Sequence, residues 1–210
     1  VVLMRGLPLR IDDTQPWPLE KAANLINHGI QKDAAAVDSE LCLMLQDTYS
    51  LRGRTGNPLY NQLRWDAGSA GTPLVMVGRL DGPTPDLVRR MVEQVLQAEQ
   101  FGLQGRVYID QRAPRQDDYQ AGDYWLDEAA QRLAREGYEV TVERTDGVFG
   151  EYYPMDAAAF YLGWYTEQVV GPFRNAQFAF RPGAVAYHNH SGNAVTLRSA
   201  DEHWCGPLLA

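Results

Sequence analysis

Cysteine is scarce in this chain: Cys42 and Cys205 are the two among 210 residues. They form neither a metal-ligand spacing nor a disulfide framework. One bridge between them would fit, and two buried free thiols are the expectation. No apolar run approaches the roughly 20 residues needed to span a bilayer, and no signal-peptide pattern is present. Positive charge is also short. With 19 Lys and Arg against 27 Asp and Glu, the net charge is −8, and the basic stripe expected of a nucleic-acid or anionic-membrane binder is missing. Gly-x-Gly-x-x-Gly and Walker-type loops are absent, and Gly53-Arg-Thr-Gly56 lacks the lysine and the strand context of a phosphate loop. Gly-x-Ser-x-Gly is absent as well, so nothing supports a nucleophile elbow. There is no internal repeat and no low-complexity tract.

What remains is an ordinary globular composition, 45% apolar and 22% charged, in a length that suits one α/β domain over residues 1–210. Strand-like apolar runs occur at 1–6, 74–82, 105–110 and 184–192, and each ends in polar residues. Such runs read as strands buried on both faces of a parallel sheet. Between the first two lies a Pro-, Gly- and Asn-rich insertion, residues 12–72, with short helices expected near 18–28 and 38–47.

From Pro73 onward strands and helices alternate. Thr84 and Pro85 start a helix whose Leu87, Val88, Met91, Val92, Val95 and Leu96 keep core-facing spacing. A second helix over 123–136 would bury Trp125, Leu126, Ala129 and Leu133. Tyr138, Val140 and Val142 alternate in a strand placed nearer an edge, and Ala157–Tyr165 reads as a further buried strand. Ser199 and Glu202 match a capping box, so a last helix is expected from there. The alternation predicts a three-layer α/β architecture with a mostly parallel sheet. Val1 opens directly in a β-run, and the chain closes with a helix under way. It reads as a fragment cut at both ends.

Ligands of open α/β sheets sit outside the carboxyl ends of the strands, so Arg5, Asp81, Asp110, His188 and His190 are expected on one rim. His188 and His190 are two apart and would share a face of their strand. That makes them half of a candidate transition-metal site, zinc for example, with Asp81 and Asp110 as possible carboxylate ligands. His190 read alone is a candidate general base. Arg5 and Arg79 could hold an anionic substrate group or pair with the carboxylates, and Tyr165 could line the cleft. Cys42 reads as core, and Cys205 lies too close in sequence to His190 to end an adjacent strand as its thiol partner.

The runs Leu3-Met-Arg-Gly-Leu-Pro-Leu-Arg-Ile, Ala36-Val-Asp-Ser-Glu-Leu, Gly78-Arg-Leu-Asp-Gly-Pro-Thr, Tyr161-Leu-Gly-Trp-Tyr and Pro182-Gly-Ala-Val-Ala-Tyr-His-Asn-His-Ser together resemble an uncharacterised family of conserved hypothetical bacterial proteins, many of them exported. More distantly, the strand–His–Ser–Gly element is similar to the histidine element of gingipain-type, caspase-like cysteine peptidases. In those a strand ends in His-Gly, and the catalytic cysteine ends the next strand. His190 maps onto that histidine; Ser191 separates it from Gly192, and no cysteine ends a following strand. The resemblance implies a caspase-hemoglobinase-like fold and an extracytoplasmic, hydrolase-like protein acting on a peptide or small molecule. In that reading His190 is the base, Asp81 and Asp110 orient it or bind a cationic group, Arg5, Arg79 and Tyr165 bind substrate, and no cofactor is needed. The alternatives are a metal-dependent hydrolase using His188 and His190, and a non-catalytic binding or envelope-assembly module on a degenerate peptidase fold.

Overall fold

The computed structural model describes residues 1–11, 35–49, 56–57, 74–112, 119–145, 147–164 and 166–210. The expected helix near 18–28, most of the loop over 50–72, and Tyr165 lie outside them. The chain forms two compact units, Val1–Asp81 and Gly82–Ala210.

In the first unit β1 (Val2–Met4) pairs in parallel with β4 (Gly78–Leu80), with Met4 opposite Leu80. The strand expected from residue 74 is therefore shorter. β2 (Arg10–Ile11) and β3 (Ala35–Ala36) make a small antiparallel pair. Helix α1 (Val37–Cys42) follows, shorter than the expected 38–47, and its N-terminus has no side-chain cap. Asp38, whose place before an apolar run suggests a cap, turns its carboxylate to Arg79 instead.

The second unit is α/β, as the alternation predicts. Helix α2 (Pro85–Phe101) starts where Thr84 Oγ1 accepts the Leu87 N–H at 3.2 Å and Pro85 presets the first turn. It ends at Gly102, in the left-handed region at φ +79°. Strand β5 (Arg106–Asp110) is followed by helix α3 (Gln120–Arg135) and strand β6 (Glu139–Glu143); then come β7 (Ala158–Gly163), a 3-10 turn (Gly171–Arg174), β8 (Val185–His188) and the short α4 (Cys205–Leu209).

The four strands form one parallel sheet in the order β6-β5-β7-β8. One face carries Val107, Ile109, Phe160 and Leu162 and is covered by Leu126, Ala130 and Leu133 of α3. The other carries Tyr108 and Tyr161 and is covered by Val169, Phe173, Phe178, Trp204 and Leu208. Burial on both faces explains why β5 and β7 read as unbroken apolar runs. β6 is an edge strand, as its alternation predicts.

Three sequence expectations give way. Trp125 is 62% exposed, because Leu126 and Ala130 carry the sheet-facing stripe of α3. On α2 only Val88 is buried, while Val92, Val95 and Leu96 are 40–59% exposed. The helix instead approaches the start of β8 through Gln94 and Ala98, whose atoms lie 3.1 and 2.4 Å from where a Gly183 Cβ would be. The capping signal at Ser199 is real as a contact, since its Oγ accepts the Glu202 N–H at 3.1 Å. No helix follows until Cys205, so it organises a turn.

Candidate functional site

The carboxyl ends of the four strands fall in one register row, Glu143, Asp110, Gly163 and His188. Backbone bonds continue one residue beyond it: Gln111 N–H to Glu143 O (3.0 Å), Trp164 N–H to Asp110 O (3.2 Å) and Asn189 N–H to Gly163 O (2.8 Å). Paired residues of parallel strands face the same side, so Asp110 and His188 project from the face that holds Tyr161 and Trp204. The order β6-β5-β7-β8 sends the chain left from β5 and right from β7, so the connections part between Asp110 and Gly163. Open α/β sheets place their ligand crevice at such a switch point.

Asp110 is 2% exposed. Burial pushes its carboxyl up to about 7, and the Glu143 carboxylate adds to this; the Phe149 N–H and the Tyr161 hydroxyl pull it back. Both of those donors go to Oδ2, by long contacts of 3.4 and 3.5 Å. Oδ1 is buried with no hydrogen-bond partner among the described residues.

His188 is 8% exposed. Its imidazole stacks on the Trp204 indole, and burial lowers its pKa to about 4. Asn193 sets its tautomer. The Asn193 Nδ2–H₂ donates to the His188 carbonyl oxygen, which can only accept, so Asn193 Oδ1 faces His188 Nδ1 at 3.0 Å. Nδ1 therefore carries the proton, and neutral His188 presents Nε2 as an acceptor. Nε2 too is buried without a partner among the described residues.

His190 lies past the end of β8. Its Nδ1 accepts the Gly192 N–H at 3.0 Å, so its neutral form carries the proton on Nε2. The two imidazoles are close enough that charge on His190 disfavours charge on His188. No sequence pattern marks His203, whose backbone is in the left-handed region at φ +57° and whose Nδ1 is buried without a partner among the described residues. A Cβ at Gly192 would lie 3.4 Å from His190 Nδ1 and 3.9 Å from His203 Nδ1. Among the described residues no group of three or more His, Cys, Asp or Glu side chains is placed to hold a metal ion. Both cysteines are free and half-buried, and burial pushes the Cys205 thiol up.

Asp123, in the first turn of α3, braces the switch point. It accepts from Trp164 Nε1 at 2.8 Å and from the backbone N–H and Nη2 of Arg112 at 3.3 Å each. The Arg112 guanidinium lies 4.6 Å from the Trp164 ring centroid, a cation–π contact.

The other expected site residues sit in the first unit. Arg5 and Asp81 directly follow the paired ends of β1 and β4, 4.0 Å apart. Arg79 grips Asp38 through Nε and Nη2 (2.8–3.2 Å), reaches the carbonyls of Leu7 and Pro8 and stands 3.5 Å from the buried Asp81. Its N–H groups are thereby turned toward this chain, and the Arg79 bond holds the Asp38 carboxyl below its ordinary value. The expected rim thus divides between the units, with Arg5, Arg79 and Asp81 in one and Asp110, His188 and His190 in the other.

The fold and site define an α/β protein with an ionisable row at the carboxyl edge of a four-stranded parallel sheet. Comparison with protein-family models, curated proteins and solved structures finds no match to this chain. No helix among the described residues is long and apolar enough to cross a membrane.

Proposed function

We propose that this protein is hydrolase-like, with a caspase-like arrangement of its parallel sheet and its chemistry on the row that joins Asp110 to His188. One observation carries the reading. Two ionisable side chains at the ends of parallel strands, on one face, each keep a buried polar atom without a partner among the described residues. Buried polar groups are nearly always satisfied, and an orphaned one asks for an explanation such as catalysis or a bound group.

Asp110, with a pKa of about 7, is the group that exchanges a proton near neutrality. His188 Nε2, an acceptor with no partner among the described residues, orients a water or a substrate N–H. On this assignment the base expected at His190 moves to Asp110, because the Gly192 N–H leaves neutral His190 with its proton on Nε2. The family resemblance supports peptides as the first substrates to try and a location outside the cytoplasm. Asp110→Asn and His188→Ala, assayed against peptide and ester libraries, should each lower turnover by about 10²-fold or more. Unchanged turnover in both would remove the row from the mechanism.

A second reading, a non-catalytic binding module, is favoured by the closure of Asp110 Oδ1 and His188 Nε2 to solvent. It requires that wild-type protein turn over nothing in either library. The metal-dependent alternative through His188 and His190 requires stoichiometric transition metal in the purified protein, read by elemental analysis.

A further inference from the structure

Tyr161 stands two residues before Gly163 on β7, so it shares the face on which Asp110 projects. A Cβ at Gly163 would lie 2.4 Å from the Tyr161 hydroxyl and 3.0 Å from the Asp110 Cβ. Only a residue without a side chain lets the phenol lie along its own strand and reach the neighbouring carboxyl. The ring is held in that pose by Phe173, with centroids 4.5 Å apart, and by Trp204, stacked at 5.8 Å. Tyr161 is fully buried, and burial raises its phenol well above its ordinary value, so the hydroxyl stays a donor.

Oδ2 of Asp110 receives both the Tyr161 hydroxyl and the Phe149 N–H, while Oδ1 receives nothing from the described residues. An oxygen already facing two donors is the poorer seat for a proton. We propose that Tyr161 and Gly163 form a positioning device that fixes the proton of neutral Asp110 on Oδ1, making that oxygen the one that donates. The device rests on the reading of Asp110 as the proton-exchanging group. Glu143 on β6 is the charged neighbour in the row and acts in the opposite sense, favouring the neutral acid.

The test is the titration of the Asp110 carboxyl carbon by NMR in wild type, Tyr161→Phe and Gly163→Ala. The phenylalanine variant keeps the ring and its packing and removes only the donor to the ionised form. It should raise the Asp110 pKa by roughly half a unit or more and move the matching limb of any pH–rate profile by the same amount. Gly163→Ala, which displaces the hydroxyl, should shift it in the same direction. A purely packing role for Tyr161 would leave the titration of a folded Tyr161→Phe protein where it is in wild type, and that result overturns the device. Failure here is distinguishable from failure of the functional reading. A shifted titration combined with full turnover in Asp110→Asn would keep the device and remove the catalysis.

Discussion

The Trp204 indole stacks on the His188 imidazole with ring centroids 3.7 Å apart and planes 10° from parallel. The same indole stacks on Tyr161, donates its Nε1–H to the Thr166 carbonyl at 2.9 Å and is 1% exposed. One side chain thus covers the imidazole and holds the phenol that reaches Asp110. Trp204→Leu should cost about 3 kcal/mol of stability, at the lower end for truncating a buried aromatic. Its diagnostic effect is on His188. With the covering ring gone, the imidazole pKa should climb from about 4 toward its unperturbed value near 6.5, as followed by proton NMR of the ring. A pKa that stays put would mean that something other than Trp204 keeps His188 dry.

Asp110 and His188 should tilt stability in opposite directions with pH. The folded state raises Asp110 from 3.8 to about 7, so between those values it binds more protons than the unfolded chain, and stability falls as pH rises through the window. It lowers His188 from 6.5 to about 4, so there the unfolded chain binds more protons, and stability rises with pH over that range. In wild type the two slopes oppose each other from about pH 4 to 6.5. Asp110→Asn leaves the His188 slope, a gain of roughly 3 kcal/mol across that range. His188→Gln leaves the Asp110 slope, a loss of roughly 4 kcal/mol up to pH 7. Urea denaturation at several pH values reads both, and identical profiles for the two variants would contradict the assignment.

Gly122 lies within α3, where Ala would ordinarily add about 1 kcal/mol of helix stability. A Cβ there would lie 2.4–2.7 Å from three atoms of the Trp164 ring. That ring has little freedom to move, since Asp123 accepts from its Nε1 and Arg112 lies over its face. The steric cost, about 1–3 kcal/mol for overpacking, should outweigh the propensity gain. Gly122→Ala should lower the urea midpoint; a raised midpoint would show Trp164 to be mobile.

The row is legible because β5 and β8 are largely apolar stretches that end in Asp110 and His188. Chain alternation then implies parallel pairing and a shared edge. Glu143 ends β6 in the same row, but the alternation of that strand marks only its apolar side. Tyr161 looked like core because its ring is core. Its hydroxyl matters only through the cross-strand register with Asp110 and the missing side chain at Gly163, neither of which periodicity encodes. His203 and Trp204 return to the sheet from a loop, so nothing local marks them. Trp125 reads as buried because an aromatic residue beside Leu126 satisfies an apolar window on either side of the helix, and only packing chooses between them.

Arg79 offers the corresponding test in the first unit. Its guanidinium bridges Asp38, the carbonyls of Leu7 and Pro8, and Asp81, which is 3% exposed. Lysine would keep the charge but lose the planar fork that grips both oxygens of Asp38, and Arg79→Lys should cost about 1–2 kcal/mol. Arg79→Leu takes the nearer of two cations, 3.5 Å against 4.0 Å for Arg5, from the buried Asp81 and should cost about 3–5 kcal/mol, as when one partner of a buried pair is removed. Adding Asp81→Asn to Arg79→Leu removes the buried carboxylate charge that Arg79 had faced and should recover part of that loss. If the double variant is no more stable than Arg79→Leu, the Arg79 side chain works through its carbonyl contacts rather than its charge.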